Sequence, residues 1–444
     1  MIERVRCGES VGVILFMHET VLARRRFLRI CATLSMGALV SACTSTPPAA
    51  PAVAPTLPPE LATAIPVITP FVTATATPQV NVTATPRLRL PPAPAAGPRT
   101  IADIGDFAEL VKRAQAEGEL SVIGLSREWL NYGEIIESYK NTYGIRIIEQ
   151  LPDASSSDQI AMIRQTAGQT GIQVPDVVEV GLDVAAAAAN DRLFQSYQHQ
   201  LWDDVPAHLK DASALWSAVY YGVMTFAINA NMVKTLPNGW NDLRNSVYKS
   251  QFAIPADPQQ SMTSQYAIVS AALANAGSLD DVQPGLRLLA ELNVLGIFND
   301  HAGSRSSIVI GETPIVPMWS YISYALKASS GSNPPIAVVV PQPIIAAGYA
   351  CAINAYATHP YAARLWVEHV LANTTQMLYA KAFATPARLG SLIANAVIPA
   401  DKQTNTQTAK QLLDAQFLSL AQQKLVTNVI TSQWDKIVNL TIIK

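Results

Sequence analysis

The chain has 444 residues, with 31 Lys and Arg against 33 Asp and Glu and a net charge of −2. That balance supplies no basic face of the kind nucleic acid requires, so no nucleic-acid partner is expected. Four cysteines are too few for a disulfide scaffold, and no segment past residue 100 is long and apolar enough to cross a bilayer.

In chain order, the first feature is a basic patch, Arg24 to Arg26, followed by an apolar run from Ile30 to Ala42 that ends in small residues before Cys43. A basic patch, a short apolar core and small residues at its end make an export signal. The run is too short for a ~30 Å hydrocarbon layer. The spacing resembles a bacterial lipoprotein signal, which implies removal of residues 1–42 and acylation of Cys43. The protein is then exported and lipid-anchored to the outer face of the cytoplasmic membrane. Arg24, Arg25, Phe27 and Leu28 also resemble a twin-arginine signal, so the export route stays open. Met17 is an alternative start, because a complete signal follows it. Of Cys7, Cys31, Cys43 and Cys351, only Cys351 belongs to the expected folded body, which therefore has no intrachain disulfide.

Residues 43–99 are rich in Pro, Ala and Thr, and only Glu60, Arg87, Arg89 and, at the very end, Arg99 bring charge. Proline fixes φ and removes backbone donors, so this stretch reads as an extended tether. At ~3.1 Å per residue it reaches on the order of 150 Å when fully extended.

From residue 100 the pattern alternates. Residues 119–124 are strand-like, 128–143 helical, 145–149 strand-like, 157–167 helical, 175–181 strand-like and 184–191 an alanine-rich helix. A long strand-like run covers 220–229. A second series follows: strand 252–255, helices at 262–276 and 285–292, then strands 314–318, 336–340 and 349–354. Helices at 360–371 and 374–383 and a last one through Trp434 complete the chain. Alternating strands and helices predict an α/β fold with a mainly parallel sheet. Ligands in such sheets sit beyond the carboxyl ends of the strands.

Several landmarks come in a familiar order. They are the opening strand 119–123, the Tyr-Gly-Ile of residues 143–145, the Pro-Asp-Val-Val of 175–178 and the long run 221–229. Then come Pro237 with Trp240 and Leu243, Gly311 and Glu312 followed by Trp319 and Tyr321, and the late residues His359, Gln376 and Arg388. Together they resemble the bacterial extracellular solute-binding proteins of ABC importers, in the group of iron(III), thiamine, polyamine and phosphonate binders. The resemblance runs from about residue 118 to the end. It implies a two-lobe type II periplasmic-binding-protein fold with a hinge of crossing strands and an interlobe cleft. Lobe 1 would take about 100–220 and 350–400, and lobe 2 about 228–340 with the C-terminal helices. The implied partners are a small-molecule solute, captured by hinge closure, and the importer permease; a monomer is expected.

Loops after strands supply the candidate ligand residues: Ser126, Arg127 and Trp129 after the first strand, and Asp183 after the third. Ser261 and Thr263 stand before a helix, Trp319 and Tyr321 after the Gly-Glu segment, and Tyr349 after the last apolar connection. Ser261, Thr263 and Asp183 have a second reading as helix caps. Trp319 and Tyr321 have one as interlobe packing, and Tyr220 and Tyr221 read as structural. Trp319 and Tyr321 suit an amine by cation–π contact, with Asp183 or Glu128 as counter-charge. An anion would use Arg127 and the helix start at Ser261. In the family's iron binders, adjacent tyrosines follow the Gly-Glu segment. Here Tyr321 is followed by Ile322, so the pair is broken and no metal is expected, leaving an iron binder with a different ligand set as the alternative. No nucleophile elbow, His-Glu-x-x-His or glycine-rich phosphate loop occurs, so neither an enzyme nor a cofactor is expected. A lipoprotein that binds a partner protein is a third reading.

Overall fold

The computed structural model describes residues 90–93, 97–171, 173–399, 403–404 and 407–443. The expected signal, Cys43 and most of the expected tether lie outside the described residues. The end of the tether is described, and it rests on the body. Tyr356 Oη donates to the Pro91 carbonyl at 2.8 Å, Arg364 Nε to the Pro98 carbonyl at 2.8 Å, and Gln198 N to the Arg99 carbonyl at 2.7 Å.

The body opens with α1 (Ile101–Ile104) and α2 (Phe107–Glu117). Thr100 and Asp103 close a capping box on α1, and Asp106 accepts from Glu109 N at the start of α2. Gly118 ends α2 at φ 74°, a left-handed conformation that glycine adopts without a Cβ clash. Then follow β1 (Glu119–Ile123), α3 (Tyr132–Tyr143), β2 (Arg146–Gln150), α4 (Ser156–Thr166), β3 (Val177–Gly181), α5 (Leu182–Asn190) and β4 (Phe194–Gln195). The long strand β5 (Ser217–Asn229) is buried along its whole length. Beyond it come α6 (Met262–Leu273), α7 (Gln283–Val294), α8 (Arg305–Ile310), β6 (Ile315–Trp319), α9 (Ser320–Ser330), β7 (Ile336–Val339) and β8 (Ile345–Asn354). Next are α10 (Pro360–Leu371), α11 (Asn373–Lys381), β9 (Thr385–Pro386) and α12 (Leu389–Ala394). The helix Leu420–Ile437 is the last element.

The main sheet runs β2-β1-β3-β8-β5-β6. β1 pairs in parallel with β2 and β3, as the alternating pattern predicts. Around β8 and β5 the pairing is antiparallel instead. The reason is a strand that changes partners along its length. The first half of β5 pairs with β8 from Ser217 to Val223, and the second half pairs with β6 from Met224 and with β7 from Phe226. One uninterrupted strand thus crosses from one lobe to the other.

The expected strand at 252–255 is reduced to single bridges, Phe252 with Phe298 and with Ile315; Pro255 has no N–H with which to extend the ladder. One apolar core runs through both lobes, with aromatic clusters in each. In the first, the Tyr139 ring lies 5.3 Å from Trp366. In the second, Trp240 packs edge-on against Phe226 at 4.8 Å and donates to Ser270 Oγ at 2.8 Å. Cys351 is buried in the sheet.

Candidate functional site

A cavity of about 270 Å³ opens where β3 and β6 end and α5, α6 and α9 begin. Ser156, Asp183 and Trp216 line it from one side. Thr263, Tyr266, Trp319 and Tyr321 line it from the other. Tyr349 comes from β8, and Phe417 and Gln423 come from the C-terminal stretch. A second, more open cavity of about 470 Å³ shares Ser156 and Tyr349 with the first. Ser126, Glu128 and Trp129 line it, with Arg305 opposite.

The nine expected ligand residues divide clearly. Asp183, Thr263, Trp319, Tyr321 and Tyr349 line the first cavity, and Ser126, Trp129 and again Tyr349 line the second. The two groups meet at Trp129 and Tyr321, whose rings stand edge to face at 5.4 Å. Arg127 and Ser261 line neither cavity. Arg127 turns outward and pairs with Glu149 at 2.6 Å and Glu137 at 2.9 Å. Ser261 is the N-cap of α6, its Oγ accepting from Ser264 N at 3.3 Å.

Trp319 and Tyr321 were expected in a loop; Trp319 instead closes β6 and Tyr321 lies in the first turn of α9. Burying both aromatics at a strand-to-helix junction holds them more tightly than a free loop would. Trp319 Nε1 donates to Thr263 Oγ1 at 3.2 Å, which joins β6 to the start of α6. Tyr321 lies against β5 where residue 222 is glycine, and a Cβ there would come within 2.5 Å of its ring. A glycine inside a strand otherwise rich in bulky residues marks this close approach. Tyr220 stacks on Tyr349 at 5.4 Å and meets Tyr321 edge-on at 6.2 Å.

Asp183 stands in the first turn of α5, where the helix's positive end favours a carboxylate. Burial outweighs this and raises its pKa, against backbone N–H bonds from Val184 and from Asp183 itself. Gly181 leaves room for the carboxylate, since a Cβ there would meet Asp183 Oδ1 at 2.9 Å. Burial lowers the pKa of His208, which also lines the cavity, so it is neutral at pH 7. Burial pushes the Tyr321 and Tyr349 hydroxyls up.

Ser156, Trp216, Tyr266, Phe417 and Gln423 were not foreseen. Tyr266 had a signal: three residues after Thr263 on a helix, it shares that residue's face. Phe417 and Gln423 had none, because they arrive from more than 200 residues beyond Asp183.

The family model described as bacterial extracellular solute-binding protein matches residues 173–414, more than half of the chain. The chain belongs to the bacterial extracellular solute-binding proteins. No curated protein matches its sequence. Among solved structures, this solute-binding protein is similar to the periplasmic binding protein AfuA from Actinobacillus pleuropneumoniae. They share 19% identity with a TM-score of 0.53, over 73% of this chain and 99% of that one. For the ferric binding protein from Campylobacter jejuni the values are 14%, 0.52, 72% and 99%. For the GacH receptor of Streptomyces glaucescens they are 12%, 0.57, 72% and 93%. At such identities the likeness establishes the fold, the two-lobe type II periplasmic-binding-protein architecture.

Proposed function

We propose that this solute-binding protein is the membrane-anchored capture component of an ABC importer. It holds one small organic solute in the cavity of about 270 Å³ and closes its lobes around it. The observation that carries this reading is the composition of the walls. One side comes from the β3–α5 junction, the other from α6 and the β6–α9 junction, and the back from β8 beside the crossing strand. A solute that touches both sides favours the closed state by the contacts it makes only there. Aromatic walls with a few polar groups suit an organic molecule.

AfuA is described with fructose-6-phosphate bound, GacH with acarbose, and the Campylobacter protein as a ferric binder. Free ferric ion fits this chain poorly. Ile322 follows Tyr321, so the adjacent phenolate pair is missing, and burial holds the Tyr220, Tyr321 and Tyr349 phenols in their protonated form. Acylated Cys43 would tether the body near its permease through the proline-rich stretch.

The test is a melting-temperature screen of the chain from residue 44 onward with amines, thiamine, phosphonates, sugar phosphates and ferric citrate, followed by small-angle scattering. Ligand at 100 times its Kd stabilises by about 2.7 kcal/mol, which is easily read as a shift. One small molecule should raise the melting temperature and compact the protein. Trp319→Ala combined with Tyr321→Ala should abolish both effects. If no small molecule shifts melting and scattering shows no compaction, the receptor reading falls. Mass spectrometry of membrane-extracted protein checks the anchor: acylated Cys43 is expected, and Cys43→Ser should release the protein.

A further inference from the structure

We infer that the captured solute is a small organic cation, its charge held by the Asp183 carboxylate and the faces of Tyr266, Trp319 and Tyr321. This rests on the reading that the cavity of about 270 Å³ is the solute site. Charge comes first. Among the residues that line the cavity, Asp183 is the one carboxylate; there is no Lys or Arg, and burial keeps His208 neutral. Asp183 is part-buried, and no cation is among the groups that act on it. A carboxylate withdrawn from water without a counter-ion is costly, and an incoming cation offsets that cost.

The walls favour the same charge. Tyr266, Trp319 and Tyr321 line the space, the Tyr266 and Trp319 rings meeting edge to face at 5.2 Å. Aromatic faces are electron-rich and attract cations, most strongly where water is excluded. Tyr266 and Tyr321 are 4% and 5% exposed. Both line the cavity, and each offers a lone pair to an N–H donor.

Two groups that the sequence offered to an anion are engaged elsewhere, which leaves the Trp216 indole N–H as the unpartnered buried donor on the cavity wall among the described residues. The Arg127 guanidinium is held by Glu137 and Glu149. Ser261 satisfies the N–H of Ser264 in the first turn of α6, and the Asp183 carboxylate itself takes N–H groups at the start of α5. An anion seated here would face Asp183 directly.

Calorimetry on the chain from residue 44 onward tests the charge. The cations are choline, 1,4-diaminobutane and thiamine, 3,3-dimethylbutanol is the uncharged isostere of choline, and fructose-6-phosphate and methylphosphonate are the anions. At least one cation should bind, and any binding of choline should be at least tenfold tighter than that of its isostere. Asp183→Asn should weaken the bound cation at least tenfold while the ligand-free melting temperature stays or rises. Tyr321→Phe, which keeps the ring, should weaken it less than Tyr321→Ala. Unchanged cation affinity in Asp183→Asn would overturn the inference. So would an anion or neutral compound binding while no cation does, and that outcome would leave the receptor reading standing. If nothing in this panel or in the wider screen binds, both readings fail.

Discussion

Glu179 and Asp183 lie four residues apart on one strand-to-helix unit, and the fold meets their burial in different ways. Glu179 is 3% exposed in β3, where the Tyr132 hydroxyl donates to it, and burial pushes its pKa up to about 7. Tyr132, Tyr379 and Trp366 surround it, and with Tyr132 it lines the second cavity. Asp183 is also raised by burial, and it borders the first cavity. The same desolvation therefore meets two answers. The Tyr132 phenol answers it at Glu179, and backbone N–H groups with the Gln423 side chain answer it at Asp183.

Three substitutions probe that contrast, beginning with the core. Trp366→Ala removes a fully buried indole and should cost about 3–5 kcal/mol. Chemical denaturation measures it, and a loss under 1 kcal/mol would mean that the core beside Glu179 is loosely packed. Glu179→Gln comes next and depends on pH. The folded-state pKa of about 7 lies above the ordinary 4.5, so the folded state keeps a proton that the unfolded chain gives up as pH rises. The group's contribution is therefore complete below pH 4.5 and lost as pH rises through 7. Relative to the native protein, the glutamine variant should gain steadily over that window, on the order of 3 kcal/mol by pH 8. Burial lowers the pKa of His199 to about 3 and that of His369 to about 4. Those two cost stability as pH falls below their ordinary 6.5, the opposite direction, and they cancel in the difference between native and variant. A pH-independent difference would show that Glu179 does not titrate there. The smallest effect belongs to Arg127→Ala. It removes an exposed ion-pair network and should cost at most about 1 kcal/mol, with ligand affinity unchanged. A large loss of affinity would return Arg127 to the site.

Much of the fold was legible because its signals are local. The helix expected at 360–371 is α10 to the residue, opened by Pro360, and the expected strand 145–149 differs from β2 by one residue at each end. Family landmarks led to Trp319 and Tyr321, and the rule that ligands sit beyond strand ends led to Asp183; the structure gathers the three around one cavity. Two candidates were not brought there, and for different reasons. Arg127 follows the first strand as a ligand residue would, but Glu137 and Glu149 are close enough in space to take its guanidinium. Ser261 has the right position for a helix start, and the helix itself uses its hydroxyl.

By itself the sequence determined the alternation of strands and helices, their caps and their breaks, because these depend on residues one to four positions apart. It also carried the family's ordered landmarks and the lone cysteine of the body. Only the tertiary structure decided that β5 changes partners from β8 to β6, that Tyr321 fits against Gly222, and that Phe417 and Gln423 join the wall of the cavity. Those contacts depend on which surfaces are buried together across hundreds of residues. The periodicity that marks a helix or a strand records which face is apolar; what that face meets is set by packing.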